Sequence, residues 1–221
     1  MPTLAIVGAG PGLGLSIAKV FGGNGFAVAL ISRNKDKLDG LVQELTASGI
    51  TAAAFPADTA NRTELAAALQ AAAGRFGRID VLEFSPHAGL VISAPQEVTV
   101  ENLQPQIDQL LHGAVTATQA VLPAMLEAGA GTLLFTTGGG AINPYPMLAT
   151  TNIAQAGLRN WALNLHNTLA DKGIFATNVA INVFIGATAP EGIPHAAPDD
   201  IARVYWELHT DRDRPEHLVT A

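Results

Sequence analysis

The sequence predicts a three-layer, doubly wound α/β fold, with a mostly parallel sheet of six to seven strands and helices on both faces. Short apolar segments alternate along the chain with longer segments whose apolar residues recur at helical spacing, which is typical of parallel strands joined by helices. The 221 residues are 48% hydrophobic and only 14% charged, enough for a sizeable buried core. We therefore expect one domain, spanning residues 1–221.

The apolar segments define each predicted strand in turn, and the last one is short. The predicted strands are Leu4–Val7, Ala27–Ile31, Thr51–Phe55, Asp80–Phe84, Thr132–Thr136, Phe175–Ile181 and His217–Thr220. Helices are expected between them, at about residues 12–22, 35–47, 61–75, 101–128, 148–171 and 198–209. Pro123 lies within the long fourth helix and predicts a kink or break there. Proline and glycine cluster at 186–198, which predicts a loop that shapes or covers a substrate pocket.

Charge and composition exclude several classes of function. The formal net charge of −7 and the lack of a basic cluster argue against nucleic acids and anionic membranes as partners. The chain has no cysteine, and its six histidines lack a metal-like spacing, so we expect neither thiolate chemistry nor a metal. No apolar run reaches about 18 residues and the N-terminus lacks the features of a signal peptide, so we expect a cytoplasmic protein.

A glycine-rich turn follows the first predicted strand and precedes the first helix. Its residues Gly8, Gly10, Gly12, Leu13 and Gly14 are the candidates for binding phosphate. Glycines at such a turn allow backbone N–H groups to approach a phosphate closely, and the helix N-terminus adds partial positive charge. The turn therefore predicts a dinucleotide-binding site.

The end of the second predicted strand indicates which dinucleotide binds. An acidic residue there would bind the ribose hydroxyls of NAD, but the strand ends in Ser32 and Arg33 and has no acid. Ser32 can donate a hydrogen bond, and the planar guanidinium of Arg33 suits a phosphate. These two residues favour NADP(H) over NAD(H).

Further stretches add to the glycine spacing Gly8-x-x-x-Gly12-x-Gly14. They are Phe55–Asp58, Ile79–Leu82, Gly113 with Val121–Met125, and Gly131–Leu134. With these motifs the chain resembles the short-chain dehydrogenase/reductase family over nearly its full length. The resemblance implies a Rossmann fold, a nicotinamide cofactor, a small carbonyl or alcohol substrate, and a homo-dimer or homo-tetramer. It also implies cofactor contacts from Asp58 at the adenine, and from Ser85, Gln155 and Phe184.

The resemblance also identifies the positions that carry catalysis in the family, where a Tyr, a Lys, a Ser and an Asn are usual. Aligned on the flanking motifs, the Tyr position is Thr151, the Lys position is Gln155, the Ser position is Gly138 and the Asn position is Leu110. A threonine hydroxyl is far too weak an acid to replace a phenol at neutral pH, and glutamine has no charge to assist it. We expect the family's standard proton relay to be impaired by several orders of magnitude.

Two side chains are candidates for replacing the missing proton donor. Tyr145 lies in the glycine- and proline-rich loop that borders the substrate in the family, and the alternative is that its ring only packs on that loop. His87 follows the fourth strand, where an imidazole can act as an acid near neutral pH, and the alternative is a surface histidine. The sequence therefore leaves two hypotheses: an NADP(H)-dependent oxidoreductase with an atypical proton donor, or an inactive NADP(H)-binding sensor or scaffold.

The predicted helix 148–171 carries a broad apolar face. Part of this face must pack on the sheet, and the rest is available to a second subunit. The face is formed by Ala154, Leu158, Trp161, Leu165 and Leu169. Together with the resemblance, it favours a homo-oligomer.

Overall fold

Strands and helices alternate along the structure, a computed structural model that describes residues 1–87, 89 and 91–221. The strands are β1 (Thr3–Val7), β2 (Ala27–Ile31), β3 (Ala52–Ala54), β4 (Val81–Phe84), β5 (Gly131–Gly138), β6 (Ile174–Ile181), β7 (Phe184–Ile185), β8 (His195–Ala196) and β9 (Glu216–Val219). The helices are α1 (Leu13–Gly23), α2 (Lys35–Ala47), α3 (Arg62–Phe76), α4 (Val100–Gln106), α5 (Gly113–Ala128), α6 (Ala149–Leu169) and α7 (Pro198–Asp211).

Seven of the strands form one parallel sheet in the order β3-β2-β1-β4-β5-β6-β9. The seven predicted strands are all present, with ends that differ by a few residues, and the predicted doubly wound fold is confirmed. The strand order reverses between β1 and β4. In open parallel sheets, ligands bind at the carboxyl ends of the strands beside such a reversal. The fold therefore places the glycine-rich turn, which follows β1, at the expected binding edge.

Apolar side chains fill a core on each face of the sheet. One core packs α1, α2 and α7 against the strands, and Phe21 and Tyr205 are among its fully buried side chains. The other packs α3, α5 and α6, and Phe84 and Phe135 are buried there. The central strands are buried on both sides, which is why they consist of continuous apolar runs.

A kink or break was predicted at Pro123, and the break is wrong, because α5 continues through that residue without interruption. Proline removes only one backbone donor, and the flanking turns keep their hydrogen bonds. The irregularity lies earlier, in a wider π-helical turn at Ile107–His112 that joins α4 to α5. Such turns accommodate an extra residue and re-orient the side chains around it. Periodicity along the sequence does not reveal this difference.

The predicted loop 186–198 is closed at its base by a two-residue parallel pair. Phe184 pairs with His195, and Ile185 pairs with Ala196. The amide of Phe184 donates to the carbonyl of Pro194 at 2.9 Å. The segment is thus a loop with a defined base before α7. Over the residues that the structure describes, no helix is long and apolar enough to span a bilayer.

Candidate functional site

The glycine-rich turn is held against β2 and the end of β4. The amides of Gly8 and Ala9 both donate to the carbonyl of Ile31, at 2.9 and 3.1 Å. Gly8 has a φ of +101°, and a Cβ on it would lie 2.6 Å from the backbone of Pro86. Only glycine tolerates both the left-handed backbone and this close approach. The conformation of the turn therefore depends on Gly8.

The N-terminus of α1 is open. No side chain caps it at Gly12, whereas Asn34 caps α2 by accepting a hydrogen bond from the amide of Lys37 at 2.9 Å. Within the described residues, the amides of Leu13 and Gly14 have no acceptor. Unpaired amides at a helix start form an anion site, because they add hydrogen bonds to the helix dipole. The turn can therefore bind a pyrophosphate.

Arg33 stands beside this turn, at the end of β2. Its side chain is exposed and makes no hydrogen bond or ion pair within the described part of the chain. The amide of Ala57 donates to the carbonyl of Ser32 at 3.1 Å, which brings the segment containing Asp58 beside the end of β2. The structure thus gathers Ser32, Arg33 and Asp58 on one side of the glycine turn.

A buried polar cluster lies beneath the other side of the turn. Glu83, in β4, is completely buried and accepts hydrogen bonds from Ser85 and Thr136, each at 2.9 Å. Thr136 also contacts the hydroxyl of Tyr205 at 2.6 Å. Burial raises the pKa of the Glu83 carboxyl to about 8, although the two hydrogen bonds oppose the rise. The carboxyl is therefore mostly protonated at neutral pH.

Sequence reasoning missed Glu83 and Tyr205. The one available signal was an acidic residue within the apolar strand Val81–Phe84. Its hydrogen-bond partner Thr136 lies 53 residues further on, so only the fold brings them together. Buried carboxyls with a strongly shifted pKa are common at functional sites.

The positions assigned to catalysis form a second cluster, around the ends of β5 and α6. The side-chain Oε1 of Gln155 accepts the amide of Gly138 at 2.9 Å. The Thr151 hydroxyl donates to Oε1 of Gln106 at 3.2 Å, and Leu110 is buried in the π-helical turn. The structure therefore brings Gly138 and Gln155 into contact, and their polar atoms pair with each other.

Tyr145 points into a different recess. Its side chain is 59% exposed and lines a mainly apolar cleft of about 490 Å³, together with Pro144, Ile153 and Ala156. Successive helical residues are rotated by 100°, so Ile153 and Ala156 lie on another face of α6 than Thr151 and Gln155. The structure does not place the phenol of Tyr145 beside those two residues.

His87 and Phe184 lie at the rim of the site. His87 is exposed, and its Nδ1 accepts the amide of Gly89 at 2.9 Å, so the neutral ring carries its proton on Nε2. Phe184 is 50% exposed at the base of the loop 186–198. No group of three or more His, Asp or Glu residues that suits a metal ion is present among the described residues.

These features define a doubly wound α/β protein with a glycine-rich turn at the carboxyl edge of its sheet. Residues 2–189 match the short chain dehydrogenase family, and the chain belongs to that family. An uncharacterized oxidoreductase of Staphylococcus aureus (strain N315) is 27% identical over 221 residues, covering 96% of this chain and 91% of that relative.

Two solved structures show the likeness of fold. L-Sorbose reductase from Gluconobacter frateurii, complexed with NADPH and L-sorbose, has a TM-score of 0.88 at 19% identity, covering 99% of this chain and 95% of that one. A short-chain oxidoreductase from Pseudomonas aeruginosa PAO1, described as containing an atypical catalytic center, has a TM-score of 0.87 at 17% identity with the same coverage.

Proposed function

We propose that this protein is an NADP(H)-dependent oxidoreductase that acts on a small carbonyl or alcohol compound. The observation that carries the proposal is the open N-terminus of α1 beside Arg33, at the point where the strand order reverses. The amides of Leu13 and Gly14 would bind the pyrophosphate, and the guanidinium of Arg33 would bind the 2′-phosphate. When bound, the nicotinamide would supply or accept the hydride.

What is known of similar proteins agrees with this proposal. The Staphylococcus aureus relative is described as an uncharacterized oxidoreductase, and L-sorbose reductase was solved with NADPH and L-sorbose. The remaining cofactor contacts would come from Gly8, Gly10, Gly12, Ser32 and Asp58 at one end. At the other end they would come from Ser85, Gln155 and Phe184.

Tyr145 is the better of the two candidate proton donors. The Nδ1 of His87 is already engaged by the amide of Gly89, at 2.9 Å. Tyr145 is 59% exposed in the loop that follows β5, where its side chain is open to a ligand.

NADPH oxidation against a panel of small aldehydes and ketones tests the proton donor. Tyr145→Phe removes only the hydroxyl, so we expect kcat to fall by about 100-fold or more with unchanged NADPH affinity. His87→Gln is the matched variant, and we expect it to change kcat by less than about threefold. Equal rates for Tyr145→Phe and the wild type would exclude the phenol.

A specific observation also favours a second candidate, an NADP(H)-binding protein without turnover. The polar atoms of Gln155 and Gly138 pair with each other, and Thr151 pairs with Gln106, so these positions offer no titratable group to a substrate. NADPH fluorescence titration and the turnover assay separate the two functions. Binding at micromolar concentration with no turnover on any substrate would support the second.

We also propose a cytoplasmic homo-dimer or homo-tetramer without nucleic-acid or membrane partners. Ile153, on α6, is 45% exposed, and Val100, on α4, is 73% exposed, so both helices present apolar area to a second copy. Light scattering at micromolar concentration tests the assembly, and a monomeric mass would contradict it.

A further inference from the structure

The buried cluster around Glu83 has no role in the proposed chemistry, although it lies directly beneath the proposed cofactor site. Glu83 is two residues before Ser85, whose amide donates to the carbonyl of Val7 at 2.9 Å. The Ser85–Pro86 backbone abuts Gly8, so Ser85 stands next to the glycine turn. Glu83 is completely buried, whereas Ser85 is only partly buried. The Ser85 hydroxyl therefore connects a buried acid with the binding edge.

The hydrogen-bond inventory of the cluster indicates where its protons lie. The fully buried Tyr205 hydroxyl has Thr136 as its partner, so it donates to Thr136. Thr136 in turn uses its own proton on Oε1 of Glu83. A protonated Glu83 then has its proton on Oε2, which faces the Ser85 hydroxyl at 2.9 Å. With Glu83 protonated, the donation from Ser85 to the carboxyl is reversed: Glu83 donates to the Ser85 hydroxyl, whose own proton is free to point outward.

The geometry points to Glu83 as a positioning residue for the cofactor: its carboxyl proton turns the Ser85 hydroxyl outward, as a donor to an oxygen of the bound dinucleotide. Loss of that proton turns the hydroxyl inward, because an ionised carboxylate only accepts hydrogen bonds. The buried negative charge then also lies beneath the pyrophosphate. This inference rests on the proposed binding of NADP(H) at the glycine turn.

Few other groups can titrate around Glu83. Its neighbours in the sheet are Ile6 on β1 and Leu134 on β5, and α7 contributes the Tyr205 hydroxyl. Burial raises the pKa of Tyr205 well above its usual value, so that hydroxyl stays neutral. No charged side chain of the described residues contributes to the shift at Glu83. A pH effect between 7 and 9.5 in this cluster is therefore an effect of Glu83.

The inference predicts that NADPH binds less tightly at high pH. Loss of one donor to a charged or polar oxygen, with a nearby negative charge, corresponds to about a tenfold weaker Kd or more at pH 9.5 than at pH 7. Glu83→Gln keeps the shape and the donating contact of the neutral acid but does not titrate. We expect its Kd to be the same at both pH values.

NADPH fluorescence titration at pH 7 and 9.5 measures this ratio of Kd values for each protein. Ser85→Ala is the second variant, at a partly exposed position, and we expect its ratio to fall to about threefold or less. Glu127→Gln is the matched control, because it makes the same change at an exposed position of α5, and its ratio should stay near that of the wild type.

The outcomes are distinct. A Glu83→Gln variant with the wild-type ratio would overturn the inference. A Ser85→Ala variant with the wild-type ratio of Kd values would overturn the route through Ser85. The same would follow if Thr136→Val abolished the pH dependence of Kd while Ser85→Ala kept it. A wild-type affinity that is equal at both pH values contradicts the inference alone. Absence of NADPH binding at pH 7 contradicts the proposed function, and the inference with it.

Discussion

The two ends of the proposed cofactor site differ in whether their polar groups already have hydrogen-bond partners. At the glycine turn, the amides of Leu13 and Gly14 and the guanidinium of Arg33 have no partner within the described residues. At the ends of β5 and α6, the Gly138 amide already has an acceptor in Oε1 of Gln155. Buried polar groups are normally paired, so the free amide of the buried Gly14 favours a ligand at the first end.

The largest effect is expected from disturbing the binding end. Gly8→Val places a side chain at a φ of +101° and against the Pro86 backbone at 2.6 Å. We expect NADPH affinity to fall by at least about 100-fold and the free energy of unfolding by about 3 kcal/mol. Fluorescence titration and urea unfolding measure the two quantities.

Gly23→Ala is the control for this prediction, because a Cβ there meets nothing within 4 Å. It should keep both the affinity and the stability of the wild type. If Gly8→Val bound NADPH as the wild type does, the glycine turn would not be the phosphate site, and the contrast between the two ends would disappear.

The second effect lies between the two ends, at Glu83. Its pKa is raised from 4.5 to about 8 in the folded state, so the native protein keeps a proton that the unfolded chain releases. The retained proton makes its full contribution to the free energy of unfolding below pH 4.5. That contribution is lost progressively as the pH rises to about 8. Relative to Glu83→Gln, the wild type should lose roughly 3 kcal/mol between pH 5 and pH 7.5.

Urea unfolding of both proteins across that range measures the difference in stability. Asp39→Asn is a suitable control, because Asp39 lies on the surface of α2 in an exposed pair with Lys35. Its difference from the wild type should change little over the same range. A constant difference between Glu83→Gln and the wild type would mean that Glu83 is ionised in the folded protein at neutral pH.

The third effect concerns the choice of cofactor at the binding end. We expect Arg33→Ala to weaken NADPH binding by about 10- to 100-fold and to leave NADH binding unchanged, because a charge-assisted pair with the 2′-phosphate is lost. Arg75→Ala, at the end of α3, is the matched loss of an arginine and should change neither. Equal losses for both nucleotides would place Arg33 away from the 2′-phosphate.

The sequence predicts the fold well because each element depends on residues close together in the chain. The seven apolar segments predict the seven strands, and caps such as Asn34 and Asn61 mark where helices begin. The glycine turn was predicted for the same reason, since a strand, a turn and a helix follow one another without interruption. The break predicted at Pro123 was wrong because that prediction considered the proline alone and not the hydrogen bonds of the helical turns around it.

The candidate site was predicted less completely, because its side chains find partners far away in the chain. Tyr145 was a candidate proton donor, with packing on its loop as the alternative, and its side chain lines a cleft on another face of α6. Glu83 depends on Thr136, and Gln155 depends on Gly138, at 53 and 17 residues of separation. Which of several polar side chains pairs with which is decided by packing, and local pattern does not contain that information.

The smallest effect tests the pairing at the second end. A Cβ on Gly138 would lie 3.1 Å from Oε1 of Gln155, which accepts the Gly138 amide. Gly138→Ala should therefore cost about 0.5 to 1 kcal/mol of unfolding free energy in the wild type and nothing in a Gln155→Ala background. In a Thr151→Ala background the cost should persist, since Thr151 contacts Gln106 instead. Additive effects of Gly138→Ala and Gln155→Ala on the free energy of unfolding would contradict the contact between the two residues. A coupling of the expected sign would mean that a side chain at position 138 and a glutamine at position 155 destabilise each other. A new side chain at position 138 would then also require a change at position 155.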